Sequence, residues 1–277
     1  MKFFTSTASA LLMANAALAS PLAAKLAARG GVLQIQKSGP GINMRNGTAS
    51  KDPSSDLQDP TFDSQSSNWA GAIMSSDAGS VTEVQGSFTV PQPKVPSGGD
   101  STKEYCGAAW VGIDGDTCQT SLIQTGIFWC IQNGATTYSA WYEYIPAASI
   151  TYESGISIAA GDVISVKVTR NGDNGGVTTL ENTSSGESGS HTFTDDTDGT
   201  LCGKDAEWIV EDFSSGGSLV SFADFDSVTF TSATAVVSGS TVSPDSDNAT
   251  NMYLEIGSTR QTTSTFSGGK VTVNYVG

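Results

Sequence analysis

VTEVQGSFTV, residues 81–90, sets Thr82, Val84, Gly86, Phe88 and Val90 on one side of an extended chain and mostly polar residues on the other. Side chains alternate across a strand, so this period of two marks a β-strand with one buried face. The pattern recurs at Ile164, Val166 and Val168, at Val228 and Phe230, and at Val271, Val273 and Tyr275. Turn-forming clusters separate these runs, as in Asn171-Gly172-Asp173-Asn174-Gly175-Gly176. Beyond the N-terminal 28 residues no long 3.6-residue period appears. Many short strands joined by polar turns predict an all-β sandwich.

The N-terminus reads as a targeting segment. Lys2 is followed by a short run of apolar and small residues, and Ala17-Leu18-Ala19 fits a small-x-small cleavage site, so residues 1–19 are expected to be a signal peptide of a secreted protein. No later stretch has the roughly 18 apolar residues of a membrane span. Residues 20–58 carry five basic and two acidic side chains, whereas residues 59–277 carry seven basic and 26 acidic ones. A basic segment ahead of an acidic domain suggests a pro-segment held over the domain electrostatically as its intramolecular inhibitor. The catalytic domain is then residues 59–277, a size that suits one β-domain. Its charge argues against a nucleic-acid partner, since acidic groups would face phosphates. It suits an acidic medium, where protonation relieves repulsion between carboxylates.

Four cysteines (Cys106, Cys118, Cys130, Cys202) in an exported chain predict two disulfides, and four cysteines allow three pairings. Their spacing matches no zinc pattern, and His191 is the single histidine, so no metal and no cofactor is expected. With His191 in a Ser/Gly/Thr-rich stretch, a Ser-His-Asp or Cys-His arrangement is a poor fit. Asp-Thr-Gly, Asp-Ser-Gly, Gly-x-Ser-x-Gly and His-Glu-x-x-His are all absent. Carboxylate chemistry remains. Sequons at Asn46, Asn182 and Asn248 are candidate glycan sites.

Three segments concentrate acidic, amide and aromatic residues: 108–126 (AAWVGIDGDTCQTSLIQTG), 138–146 (YSAWYEYIP) and 201–213 (LCGKDAEWIVEDF). On a strand, Glu207, Ile209, Glu211 and Phe213 share one face, and Trp208, Val210 and Asp212 the other. A carboxyl beside Ile and Phe is desolvated, which raises its pKa and suits it to acid–base work in acid. In 138–144, Tyr138, Ala140, Tyr142 and Tyr144 oppose Ser139, Trp141 and Glu143; alternation leaves open which set faces a groove.

These three blocks, in this order, resemble the signature blocks of the fungal glutamic peptidases (eqolisins), as do Ser67-Asn68-Trp69-Ala70-Gly71-Ala72 and Phe88-Thr89-Val90-Pro91. The resemblance runs from about Ser66 to the C-terminus. It implies a concanavalin-A-like sandwich of two large antiparallel sheets that binds polypeptide substrates along one concave face. It also implies catalysis by Gln124 and Glu211, with Trp69, Trp110, Asp114, Tyr138, Trp141 and Glu143 supporting or lining the cleft. Cys118–Cys202 and Cys106–Cys130 are the bridges it implies, and a monomer is expected. One departure is visible: the family's aromatic block reads Tyr-Asp-Ala-Trp, and here it is Tyr138-Ser139-Ala140-Trp141. The rival reading is a β-sandwich glycosidase using Glu143 and Glu211, which needs the two carboxyls roughly 5–10 Å apart; a non-catalytic binding homologue is a further alternative.

Overall fold

Alternation along the strands becomes two stacked sheets. In the computed structural model, residues 62–153, 155–194, 199–215, 218–245 and 249–277 are described. The expected signal peptide, the pro-segment, Asn46 and Asn248 lie outside them.

One sheet runs β1 (Phe62–Ser66), β16 (Ala249–Ile256), β2 (Trp69–Ser75), β11 (Asp205–Glu211), β4 (Tyr105–Ile113), β5 (Leu122–Gln132), β6 (Ala135–Ile145) and β7 (Ile150–Thr151). A short β17 (Thr259–Arg260) pairs with β16. The second runs β10 (Glu187–Phe193), β9 (Gly176–Asn182), β8 (Val163–Arg170), β3 (Val81–Thr89), β14 (Ser227–Val237), β19 (Lys270–Tyr275) and β18 (Thr262–Ser267). There β15 (Ser240–Val242) pairs with β14, and β12 (Ser214–Ser215) with β13 (Ser218–Leu219) forms a separate ribbon. Among the described residues every pairing between two strands is antiparallel except β1 with β16, and no helix occurs.

Between the sheets lies the main core, in which Trp208, Val210 and Ala206 of β11 meet Val84 and Phe88 of β3 and Phe230 of β14. Phe88 and Phe230 pack edge-to-face at 5.2 Å, a favoured aromatic arrangement. Trp208 reaches across the sandwich, and its Nε1 donates to the Gln85 carbonyl at 2.8 Å. A second polar tie crosses nearby. Tyr152 Oη donates to Thr178 Oγ1 at 3.1 Å and lies 2.9 Å from Thr125 Oγ1. Buried hydroxyls and indole N–H groups that lack partners would cost stability, so these ties fix the sheet offset.

At the start of β3 the register slips: Val236 faces Glu83 but Val237 faces Val81. The bulge puts Val81, rather than Thr82, into the core. Asn182 is a second correction. It is fully buried at the end of β9, and its Nδ2 donates to the Ser157 carbonyl at 2.8 Å and to Asp162 Oδ2 at 2.9 Å. A glycan would leave that nitrogen a single N–H, so at least one of the two bonds would be lost at a fully buried site, and the folded chain does not offer this sequon for modification.

Two outcomes follow from this packing. Trp208→Ala should lower unfolding free energy by roughly 3–5 kcal/mol, measured by denaturant titration; a loss under about 1 kcal/mol would contradict the inter-sheet role. Peptide mass spectrometry of the secreted chain should find Asn182 unmodified, and a glycan there would contradict its burial.

Candidate active site

The first sheet is apolar on both sides, as the unbroken burial of β4 and β11 shows. Its second face, turned away from the sandwich core, carries a smaller cluster that includes Trp69, Ile73, Trp110, Leu122, Phe128, Trp141, Ile209 and Phe213. Polar side chains are set into this apolar face. Cross-strand registers arrange them in rows.

The first row reads Glu207 on β11, Gly112 on β4, Gln124 on β5 and Glu143 on β6. The next reads Ile209, Trp110, Gly126 and Trp141. The third reads Glu211, Ala108, Phe128 and Ser139, with Trp69 beyond Glu211 on β2. Gln124, Glu143, Glu207 and Glu211 are thus buried on one face.

Each functional side chain has identifiable supports. Glu211 accepts from Trp110 Nε1 at 2.9 Å through Oε2 and from Asn68 Nδ2 at 3.3 Å through Oε1. Trp110 is braced edge-on by Trp69 at 5.1 Å. Gln124 Nε2 donates to Glu143 Oε2. Trp141 stacks on Phe128 at 4.7 Å with 12° between planes, and Phe213 closes against Phe128 at 4.7 Å. Several buried polar atoms on this face have no partner within the protein: Gln124 Oε1, Glu143 Oε1, both Glu207 oxygens, and the indole nitrogens of Trp69 and Trp141. Buried polar atoms are normally bonded, so such a group of orphans marks where water or a ligand sits.

Gln124 and Glu211 are two strands apart and four residues out of register, so they are not cross-strand neighbours. Their link is through Glu143, whose carboxyl is pushed well above the usual range chiefly by burial and then by the charge of Glu211. Burial likewise pushes Glu207 well above it, with Asp205, Asp116, Asp114 and Glu211 adding repulsion. Asp212 is raised to about 8 by burial and by Glu211, and neither of its oxygens has a partner.

Asp114 supports the site from behind. It is fully buried and accepts from the backbone N–H groups of Gly203, Lys204 and Asp205 at 2.8, 2.7 and 3.3 Å. Asp205 answers by accepting from Thr117 N, Thr117 Oγ1 and Cys118 N at 2.8, 2.8 and 3.2 Å. Cys118–Cys202 closes the same junction, and Cys106–Cys130 ties β4 to β5 in register. Two loops are locked together just where β11 begins.

Tyr138 is a correction. It packs against the sandwich core and donates to the Pro91 carbonyl at 3.0 Å. With period two, residues 138, 140, 142 and 144 face the second sheet, while Ser139, Trp141 and Glu143 face the site. Asn68 and Phe128 were not singled out from sequence. Parity with Trp110 and Gln124 was not enough to find them, because their partners come from distant strands. Glu207 was legible as a face-mate of Glu211, and its place in Gln124's row was not.

Comparison with known proteins gives a consistent result. The model of the Peptidase A4 family matches residues 67–275. Aspergillopepsin-2 of Aspergillus niger is 43% identical over 295 aligned positions that span 100% of both chains. Scytalidopepsin B of Scytalidium lignicola is 41% identical over 218 positions, covering 76% of this chain and 78% of its own. A crystal structure of scytalido-glutamic peptidase with a peptide-based transition-state analogue superposes with a TM-score of 0.67 at 38% identity, over 76% of this chain and 98% of that one. Aspergilloglutamic peptidase from Aspergillus niger gives 0.60 at 49% identity, over 62% and 99%.

The buried acids set a pH dependence whose sign is fixed. An unfolded Asp ionises near 4, whereas folded Asp212 holds its proton to about 8. Its contribution is fully present below pH 4 and is lost as pH rises to 8. The slope is about 1.4 kcal/mol per pH unit per such group. Stability measured by denaturant should therefore fall between pH 4 and 7, and Asp212→Asn should flatten that fall. A wild-type curve that rises over this range, or a variant curve of unaltered slope, would contradict it.

Proposed function

The chain belongs to the Peptidase A4 family and is a glutamic peptidase; from that premise we propose that it is a secreted acid endopeptidase in which Gln124 and Glu211 act on one water. The observation that carries the reading is the shared face itself: a carboxyl held by Trp110 and Asn68 and an amide held by Glu143, beside unpartnered polar atoms. A relative of this fold is solved with a peptide-based transition-state analogue, which favours peptide substrates here and weighs against the glycosidase reading.

Peptide hydrolysis needs an activated water, a donor for the oxyanion and a proton for the leaving amine. Glu211 takes the proton of the water and later passes it to the amine. Trp110 and Asn68 hold both carboxyl oxygens in one orientation and leave lone pairs for water. Gln124 has two amide N–H groups. One is engaged by Glu143, which leaves the other for the oxyanion and Oε1 as an acceptor for water. The sheet's twist must bring the two out-of-register side chains together, since a flat sheet would hold them apart.

The precursor reading extends this. Residues 20–58, with net positive charge, would lie against the acidic domain and keep the peptidase silent until cleaved. No helix among the described residues is long and apolar enough to cross a membrane. The N-terminal segment suits export, and the mature chain acts as a monomer.

Glu211→Gln should lower kcat on a denatured-protein substrate at pH 3–4 by at least 10²–10³-fold. Gln124→Ala should lose on the order of 10²–10³-fold. Both should keep the two disulfides and the wild-type circular dichroism. Either variant retaining more than a tenth of wild-type kcat would remove that residue from the centre.

A further inference from the structure

Glu207 is used by no step above, although it shares a row with Gln124. Only Gly112 separates them. A Cβ at position 112 would stand 3.3 Å from Glu207 Oε2 and 2.9 Å from both Trp110 Cζ3 and Leu122 Cδ1. The Glu207 carboxyl therefore sits over the bare glycine backbone, toward β5.

The Gln124 amide is held from one side only. Nε2 is fixed by Glu143 on β6. The carbonyl oxygen of a planar amide diverges from its nitrogen, so Oε1 is directed away from the Nε2–Glu143 contact, and on the other side of that row stands β4, with β11 beyond it. Oε1 is buried and unpartnered, and so are both oxygens of Glu207. The two unsatisfied sets lie on either side of the same glycine.

We propose that Glu207 is a positioning residue of this centre: its carboxyl hydroxyl donates, directly or through one bridging water, to Oε1 of Gln124 and so fixes which end of that amide faces the substrate. The inference rests on the peptidase reading of the site. Without a donor on Oε1, the amide can turn over and set its carbonyl against Glu143, removing the free N–H from the oxyanion. With Glu207 on one side and Glu143 on the other, it has one orientation.

The surroundings keep that hydroxyl in place. Beside Glu207 on β11 lie Asp205 and Glu211, and the loop after β4 contributes Asp114 and Asp116; all are acidic. From β5 and β6 the facing groups are the neutral amide of Gln124 and the carboxyl of Glu143. Its register partner on β2 is Ile73, and Trp110 and Leu122 crowd the glycine between. Among the described residues no cation is one of the charged groups acting on Glu207, so the proton stays on the carboxyl, and a protonated carboxyl is a donor.

Two variants and one spectrum test this. Glu207→Leu keeps the volume and removes the donor; kcat at pH 3–4 should fall at least tenfold, with KM within about twofold of wild type. Glu207→Gln retains an N–H donor and should restore kcat at least tenfold relative to the Leu variant. Difference infrared spectroscopy at pH 6, wild type minus Glu207→Gln, should show the C=O stretch of a protonated carboxyl. Equal kcat in the two variants, a Leu variant as active as wild type, or absence of that band overturns the proposal. If the Leu variant does not fold, an inactive Gln variant or a missing band overturns it. Wild type and Glu211→Gln are assayed alongside. A silent wild type would instead remove the peptidase reading, and an active Glu211→Gln would remove Glu211 from the centre, while the spectrum still reports the Glu207 proton.

Discussion

Negative charge buried without a cation is the constraint around which this molecule is arranged. Glu207 and Glu211 on β11, Asp212 just after it, and Glu143 on β6 are all withdrawn from solvent on or next to strands of the first sheet. Ion pairs such as Lys94–Asp226, Lys167–Glu83 and Arg170–Asp173 lie elsewhere. Isolated buried carboxylates are costly, and the inexpensive resolution is to keep the proton. Burial is the largest cause of the raised pKa at Glu143, Glu207 and Asp212 alike. A protein built this way holds together in acid, and the acidity of residues 59–277 belongs to the same design.

Holding such groups at fixed positions needs rigid strands, and the supporting contacts are of two kinds. Behind the site, Asp114 and Asp205 exchange bonds with each other's loops beside Cys118–Cys202, which sets where β11 begins. Within the sandwich, Trp208 bonds to Gln85 and packs in the core, and it sits one residue from Glu207. Structural and site residues alternate along β11, so the strand that carries two carboxyls outward is anchored by Trp208 and Val210 inward.

Much of this was readable from the sequence, and what was not has a physical reason. Alternation in residues 81–90 and 205–211 gave the class of fold and put Glu207 and Glu211 on a common face. Alternation could not say which face of β6 was which, because Tyr138 and Trp141 are equally apolar and both sides of this sheet are buried. Register lay further out of reach. The sheet order β2–β11–β4–β5 interleaves segments more than a hundred residues apart, so Glu207 opposite Gln124 across Gly112, and Asn68 on Glu211, emerge only from the folded chain. The sequon at Asn182 misled because a sequon says nothing about burial.

Neutron diffraction from crystals grown near pH 5 would test the central claim most directly, by locating the protons themselves. Deuterium is expected on one oxygen each of Glu143, Glu207 and Asp212, with Oε1 of Gln124 turned toward Glu207. Bare carboxylates at all three positions would contradict it.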